Sequence, residues 1–345
     1  MIPFAPAAAR RPRHSARRSL FACLAPAALG VGLALAALSA QAQWKPAGTV
    51  RLIVPFGPGG ATDVLARVAA TETNKGGRLG QTMIVENRAG ANGLLGAGQV
   101  ARAAPDGQTL CVCTTGQISV AGLLGEKPQY DPEKDLIPVA GGWSSGLIVM
   151  VRPDLPVRNI AEFIAYARAN PGKVNMANAG KGSPTHLGAE LLRFLANTSW
   201  TNVPYPGEAD AIRAVAGGFA DWYPASVVSP AIGLMKDGRL RAIATFSSRR
   251  TVAFPDLPTI AEQGYPGFNS DPISGFNAPA GTPAAAVETL SRELQAALRS
   301  ETARAAFDKA GMNSIVSDAA AWGALVAADR AKWAKLIREA NVKVD

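Results

Sequence analysis

The chain has 345 residues, 48% hydrophobic and 18% charged, with a formal net charge of +9. That length points to two domains, and the apolar share excludes a disordered polyelectrolyte. Five of the excess positive charges (Arg10, Arg11, Arg13, Arg17 and Arg18) fall in the first 42 residues, leaving +4 for the rest, which is ordinary for a soluble protein and favours anionic small molecules only weakly.

The arginines open a targeting signal. An apolar run, Leu20 to Leu38, follows them, then Ser39-Ala40-Gln41-Ala42 with small residues where a signal peptidase cuts. Cleavage is expected after Ala42, so that the mature chain starts at Gln43. A retained membrane anchor is the alternative, but Pro26 and the many alanines make the run a weak one. Arg17-Arg18 loosely resembles a twin-arginine signal with imperfect order, which favours ordinary Sec export. Cys23 precedes most of the apolar run, the wrong place for lipid attachment.

From Gln43 onward strand and helix patterns alternate. Val50–Val54 is a β-branched strand, Thr62–Thr73 a helix, Met83–Glu86 a strand, Gly93–Ala103 a small-residue helix and Thr109–Thr114 a strand. This rhythm predicts a parallel sheet with helices on its faces. It restarts with the strand Leu147–Val151, the helix Ile160–Ala169 capped by Asn159, the strand Val174–Ala177 and the helix Pro184–Leu195. Helix Ala209–Ala216, strand Ala220–Tyr223, helix Ile232–Asp237 and strand Leu240–Thr245 follow, then C-terminal helices Ala284–Ser300, Glu301–Ala310 and Ala319–Ala340. Two α/β lobes with a final helical segment are expected. Crossings between them should fall near Gly141–Gly146 and Asp271–Phe276.

Cys111 and Cys113 are the only cysteines after the signal. Two positions apart in a strand they share a face, but bridging them would demand poor geometry, so they read as two small buried residues. With His14 and His186 the only histidines, there is no metal-ligating cluster. The basic C-terminal helix (Lys332, Lys335, Arg338, Lys343) reads as a solvated face.

Two loops carry the functional signal. Pro55-Phe56-Gly57-Pro58-Gly59-Gly60-Ala61-Thr62-Asp63 joins a strand to a helix. Its glycines let backbone approach a ligand, Thr62 or Asp63 can cap the helix, and the free amides of the helix start suit an anion. It lacks the Gly-Lys-Ser/Thr ending of a phosphate loop and the glycine spacing of a dinucleotide site. Ala179-Gly180-Lys181-Gly182-Ser183-Pro184-Thr185-His186 repeats the construction, with Ser183 as N-cap and Pro184 at the first helical position. One such loop per lobe would grip one anion from both sides. Ser183 and His186 share a helix face, but nothing orients the imidazole and there is no nucleophile elbow, so catalysis is not expected.

The stretches VPFGPGGATD, VENRAGANGLLGAGQVARAAPDGQTL, YDPEKDLIPVA, ANAGKGSPTHLGAELL, FPDLPTIAEQGYPGF and APAGTP, in this order, resemble the Bug (TctC-type) extracytoplasmic solute receptors of tripartite tricarboxylate transporters. The resemblance implies a periplasmic-binding-protein type II (Venus flytrap) fold: two Rossmann-like lobes on a two-crossing hinge, residues 43–144 with 273–345 forming one and 145–272 the other. It implies a monomeric periplasmic receptor without cofactor or metal that holds a small carboxylate in the cleft and docks to the large and small subunits of a membrane permease. A sensor feeding a two-component kinase would use the same site, and a hydrolase on this scaffold is the remaining alternative. Ligand-facing roles carry over to Phe56, Gly59, Gly60, Ala61, Thr62, Asp63, Ser183, Thr185 and His186, and Thr115 stands where the family has a small polar residue.

Departures from the family pattern fall at Tyr205-Pro206-Gly207-Glu208-Ala209-Asp210 and Asp221-Trp222-Tyr223-Pro224-Ala225-Ser226. They add Glu208, Trp222 and Tyr223 near the expected pocket rim, favouring an amine-bearing or aromatic ligand over a tricarboxylate; Tyr205, which keeps the family's residue, and Glu208 are counted among the expected ligand-binding residues.

Overall fold

The computed structural model describes Met1 and residues 44–125, 127–178, 183–205, 207–226, 231–251 and 253–339. The expected signal segment, its cleavage site, Ala179–Gly182 of the second loop and Lys343 lie outside the described residues. Lys45–Asp345 forms one compact unit, and the whole candidate site belongs to it.

Two sheets organise this unit. The first holds β1 (Val50–Val54), β2 (Met83–Asn87), β3 (Thr109–Thr114), β4 (Leu136–Ser145), β10 (Ile273–Pro279) and β11 (Met312–Ser317), in the order β11-β4-β10-β3-β1-β2. The second holds β5 (Leu147–Val151), β6 (Asn175–Asn178), β7 (Thr201–Pro204), β8 (Trp222–Ser226) and β9 (Arg241–Thr245), in the order β7-β6-β8-β5-β9. β1 runs parallel to β2 and β3, and β6 parallel to β7 and β8. Neither sheet is wholly parallel as the rhythm predicted: β10 is antiparallel to β3 and β4, and β5 is antiparallel to β8 and β9. β11 is likewise antiparallel to β4, whereas β5 and β10 are the strands that enter from the other lobe, which the alternation of local patterns could not reveal.

Packed on these sheets are α1 (Ala61–Gly76), α2 (Leu94–Ala101), α3 (Ile160–Ala169), α4 (Pro184–Leu195), α5 (Glu208–Ala216), α6 (Ala231–Lys236), α7 (Ala284–Leu298), α8 (Glu301–Lys309) and α9 (Ala319–Glu339). Helix α1 buries Leu65, Ala66, Ala69 and Ala70 along one stripe and stops at Gly77, whose φ of 64° lets its amide turn back to the Asn74 carbonyl. Asn159 caps α3 by accepting the Glu162 amide, as its position predicts. β4, β7, β10 and β11 do not stand out along the chain because glycine, proline and polar residues dilute their alternation.

The glycines of the central strands have a packing reason. A Cβ on Gly275 would stand 2.5 Å from the Trp322 ring and 2.6 Å from the Ala140 carbonyl oxygen, because the indole of α9 lies directly on β10. Trp322 is fully buried and its Nε1–H donates to Asn277 Oδ1. Gly275→Ala therefore lowers unfolding free energy by about 2 kcal/mol, the overpacking cost of a core with nowhere to yield, measurable by urea unfolding.

Both lobe crossings occur at one edge. β4 ends at Ser145, beside Ile273 at the start of β10 and near Thr114 at the end of β3, and only Gly146 separates it from β5. Leu147 in turn pairs with Ser226 at the end of β8. The expected crossing at Gly141–Gly146 thus contracts to Gly146, and the one at Asp271–Phe276 to the residues before Ile273, since the rest are strand. β4 leaves the first sheet where β1, β2 and β3 end, and β5 enters the second where β6, β7 and β8 end.

Cys111 and Cys113 are buried as expected, but the structure joins them in a disulfide, correcting the unbridged reading. Their Cα atoms lie 5.2 Å apart, inside the span a disulfide needs, and both side chains face the same cluster. The C-terminal helix also departs from expectation. Trp322 packs with the first lobe, while Trp333, Leu336 and Ile337 join the core of the second. Only part of its surface is a solvated face.

Candidate functional site

The carboxyl edges of the parallel strands gather the candidate residues of each lobe. In the first, Gly57–Gly60 form an exposed turn after β1, with Gly59 at φ 86°. Gly60 is the N-cap of α1 and offers no side chain, so neither Thr62 nor Asp63 caps in the expected manner. Asp63 works from within the first turn instead. It is buried; its Oδ2 accepts the Gly59 amide at 2.9 Å and Arg67 Nε at 3.1 Å, and its Oδ1 accepts Asn87 Nδ2 at 2.8 Å. Burial acts to raise the carboxyl's pKa, but the hydrogen bonds from Arg67, Gly59 and Asn87 and the guanidinium charge outweigh it and hold the pKa below the ordinary value. Asn87 also donates to the Phe56 carbonyl at 3.1 Å, fastening the turn to the end of β2. The first-turn amides of Ala61 and Thr62 have no partner within the helix and sit with Phe56 and Thr62 at the partly exposed rim.

Beside this turn, Gly90, Ala91, Asn92 and Gly93 all have positive φ, at 137°, 46°, 53° and 88°. Gln117 holds that left-handed stretch: its Nε2 donates to the Asn92 carbonyl at 2.8 Å, and its Oε1 accepts the Thr114 amide at 2.9 Å. Thr115 is committed inside the lobe. Its hydroxyl donates to Asp329 of α9 at 3.1 Å and accepts the Ile273 amide at 2.9 Å, tying β3 to β10 and the C-terminal helix.

In the second lobe Ser183 caps α4 by accepting the His186 amide at 3.2 Å, with Pro184 following. Its Oγ lies 2.9 Å from Thr185 Oγ1. His186 is buried; its Nε2 lies 3.4 Å from Asn202 Nδ2, which also donates to Glu190 at 3.0 Å, so the imidazole is a member of a polar cluster within the lobe rather than a solvated residue. The Tyr205 amide donates to the Asn178 carbonyl where β6 and β7 end, and its ring is half-buried.

Glu208 begins α5 at the same edge. Its carboxylate accepts the Ser226 amide at 2.8 Å and the Ser226 hydroxyl at 3.0 Å, closing the end of β8. Trp222 and Tyr223 part company, because adjacent strand residues face opposite ways. Trp222 is fully buried against Trp200 and Phe163, at 4.8 and 5.0 Å between ring centres, which removes it from the rim where the sequence placed it. Tyr223 lies on the other face, and its hydroxyl has no hydrogen-bond partner. Burial first, then the charge of Glu208, push the phenol's pKa up, and the neighbouring Thr185 hydroxyl acts against them without standing in hydrogen-bonding geometry.

The residues that sequence patterns did not mark are Arg67, Asn87 and Gln117. They act across elements, and no spacing along the chain signals them. A cavity of about 640 Å³ opens elsewhere on the first lobe, between α7 and the start of α9, lined by Thr282, Glu288, Arg292 and Asp318, and includes none of the expected site residues. Among the described residues no helix is long and apolar enough to cross a membrane, and no His/Cys/Asp/Glu group could hold a metal ion.

Known proteins resemble this chain along most of its length. A family model described as "Tripartite tricarboxylate transporter family receptor" matches residues 65–342. Protein BugT of Bordetella pertussis is 34% identical over 323 residues, covering 92% of this chain and 98% of its own. The structure of the periplasmic binding protein BugD superposes with a TM-score of 0.72 at 33% identity, over 86% of this chain and 99% of that one. A protein of R. palustris solved with adipate gives 0.74 at 30% identity, over 86% and 99%.

Proposed function

The chain belongs to the tripartite tricarboxylate transporter receptor family, and from that membership we propose that it captures a small carboxylate between the two loop-bearing edges and hands it to the membrane permease of such a transporter. It is a periplasmic solute-binding protein with a two-lobed α/β fold. Export by a signal cleaved after Ala42 is part of this reading.

The observation that carries the site assignment is the hinge. Gly146 joins the end of β4 to the start of β5, so the edge bearing the Gly57–Gly60 turn is linked directly to the edge bearing Ser183, Thr185 and Glu208. Pre-pointed amides at the start of α1 and hydroxyls at the start of α4 suit a carboxylate, and hydrogen bonds to a charged group are stronger where water is excluded. Domain closure about such a hinge is a known way to enclose a ligand. The R. palustris relative was solved with adipate, itself a small carboxylate.

A thermal-shift panel of mono- and dicarboxylates tests the proposal, since binding to the folded state raises its apparent stability. Ser183→Ala and Thr185→Ala should each weaken the strongest hit by about tenfold, the loss of one hydrogen bond to a charged group. Unchanged calorimetric affinity in both variants would remove these residues from the site.

A further inference from the structure

The second lobe carries a polar group that the fold leaves unused. Tyr223 is 1% exposed, yet its hydroxyl has no hydrogen-bond partner. A native core seldom leaves such a group unmatched, and each exception calls for an explanation. The groups that influence this phenol are Thr185, at the start of α4, and Glu208, at the start of α5. Both helix starts lie where β6, β7 and β8 end, which is the edge joined to the first lobe by Gly146.

Glu208 takes its two hydrogen bonds from the Ser226 amide and hydroxyl, one at each carboxylate oxygen. Those donors are neutral, so they fix the carboxylate without cancelling its charge. Each oxygen keeps a second lone pair. The phenol oxygen is an acceptor too. Two oxygen-bearing groups at one edge, one of them anionic, form a receptor for a donor-rich cation. The same arrangement disfavours a second carboxylate, which would be set beside a like charge.

We propose that Tyr223 and Glu208 form a subsite for an ammonium group, so that the ligand is an amino-bearing carboxylic acid rather than a simple dicarboxylate. The carboxylate of that ligand meets the amides at the start of α1 and the hydroxyls of α4. Its ammonium meets Glu208, with the phenol oxygen accepting one of its hydrogens. This inference rests on the reading of the chain as a carboxylate receptor, and narrows it.

Matched pairs test it by calorimetry on the mature full-length protein: succinate with 4-aminobutanoate, adipate with 6-aminohexanoate, and terephthalate with 4-(aminomethyl)benzoate. The expected result is that the amino member of the best-bound pair binds at least about tenfold tighter. Glu208→Gln should erase that preference. Tyr223→Phe should weaken the amino acid several-fold while leaving thermal stability equal or higher, because a buried unpaired hydroxyl is removed; a purely structural tyrosine would leave affinity untouched. Dicarboxylates preferred by the wild type, or a preference unchanged in Glu208→Gln, overturn this inference and leave the receptor assignment standing. No binding of any member overturns both.

Discussion

Asp271→Asn makes the protein more stable at pH 8 and flattens the fall in stability that the wild type shows between pH 5 and pH 8. Asp271 lies between β9 and β10, on the second crossing, and is almost wholly buried. Loss of hydration pushes its carboxyl pKa up to about 7, against the opposing pull of the Ser247 hydroxyl, the Lys332 ammonium, the Leu147 amide and Arg249. Ser247 donates to it at 2.7 Å, while Lys332 is shared with Asp329 at 2.7 Å. The folded carboxyl keeps a proton that the unfolded chain releases near the ordinary value of 3.8. Below that value Asp271 imposes no penalty. As the pH rises towards 7 the folded state is penalised progressively, and above 7 the penalty is constant. About three pKa units correspond to roughly 4 kcal/mol. Chemical unfolding of wild type and Asp271→Asn at a series of pH values reads the difference directly, and parallel curves would show that Asp271 does not titrate there. The residue sits where the lobes must bend, so the same comparison under a saturating ligand reports whether closure changes its surroundings.

Asp63→Ala produces a loss of the opposite pH sense, and it damages binding as well. Its carboxylate organises the first loop by accepting from Gly59, Arg67 and Asn87 together. Arg67 is half-exposed and recovers water in the variant, so its contribution is small. The Asn87 amide and the Gly59 turn lose a partner that water replaces only in part. A loss of about 3 kcal/mol follows at neutral pH. The wild-type pKa is depressed, so this contribution is complete above the unfolded value and disappears as the pH falls through the folded one. Wild type and variant therefore converge in acid and diverge at neutral pH. Affinity for the best carboxylate of the thermal-shift panel should fall more than tenfold, because the amides of Ala61 and Thr62 no longer arrive in fixed positions. Intact affinity in a destabilised Asp63→Ala protein would separate the first loop from the site.

Much of the architecture was legible along the chain. Val50–Val54, Thr109–Thr114, Leu147–Val151, Ile160–Ala169 and Pro184–Leu195 appear in the structure with the bounds that periodicity and capping residues predict, because those signals are local and act within one turn or one strand. The loops at Gly57–Gly60 and Ser183–His186 were equally readable, since glycine, an N-cap serine and a first-turn proline each impose their geometry on the adjacent backbone. The same locality failed where a strand's partner is distant. β10 contains Gly275 and Asn277, which look unlike strand residues until Trp322 of α9 is laid across them.

The sequence by itself determined the lobes' α/β character, the two loops and, through its motifs, the family. Tertiary structure decided the rest. It set β5 and β10 antiparallel, buried Trp222 beside Trp200, committed the Thr115 hydroxyl to Asp329 and Ile273, and left the Tyr223 hydroxyl near Thr185 and Glu208. The physical reason is one of range. Backbone preference and hydrophobic period act over a few residues, whereas a side chain's partner, and hence its charge state and availability to a ligand, is fixed by groups tens to hundreds of positions away.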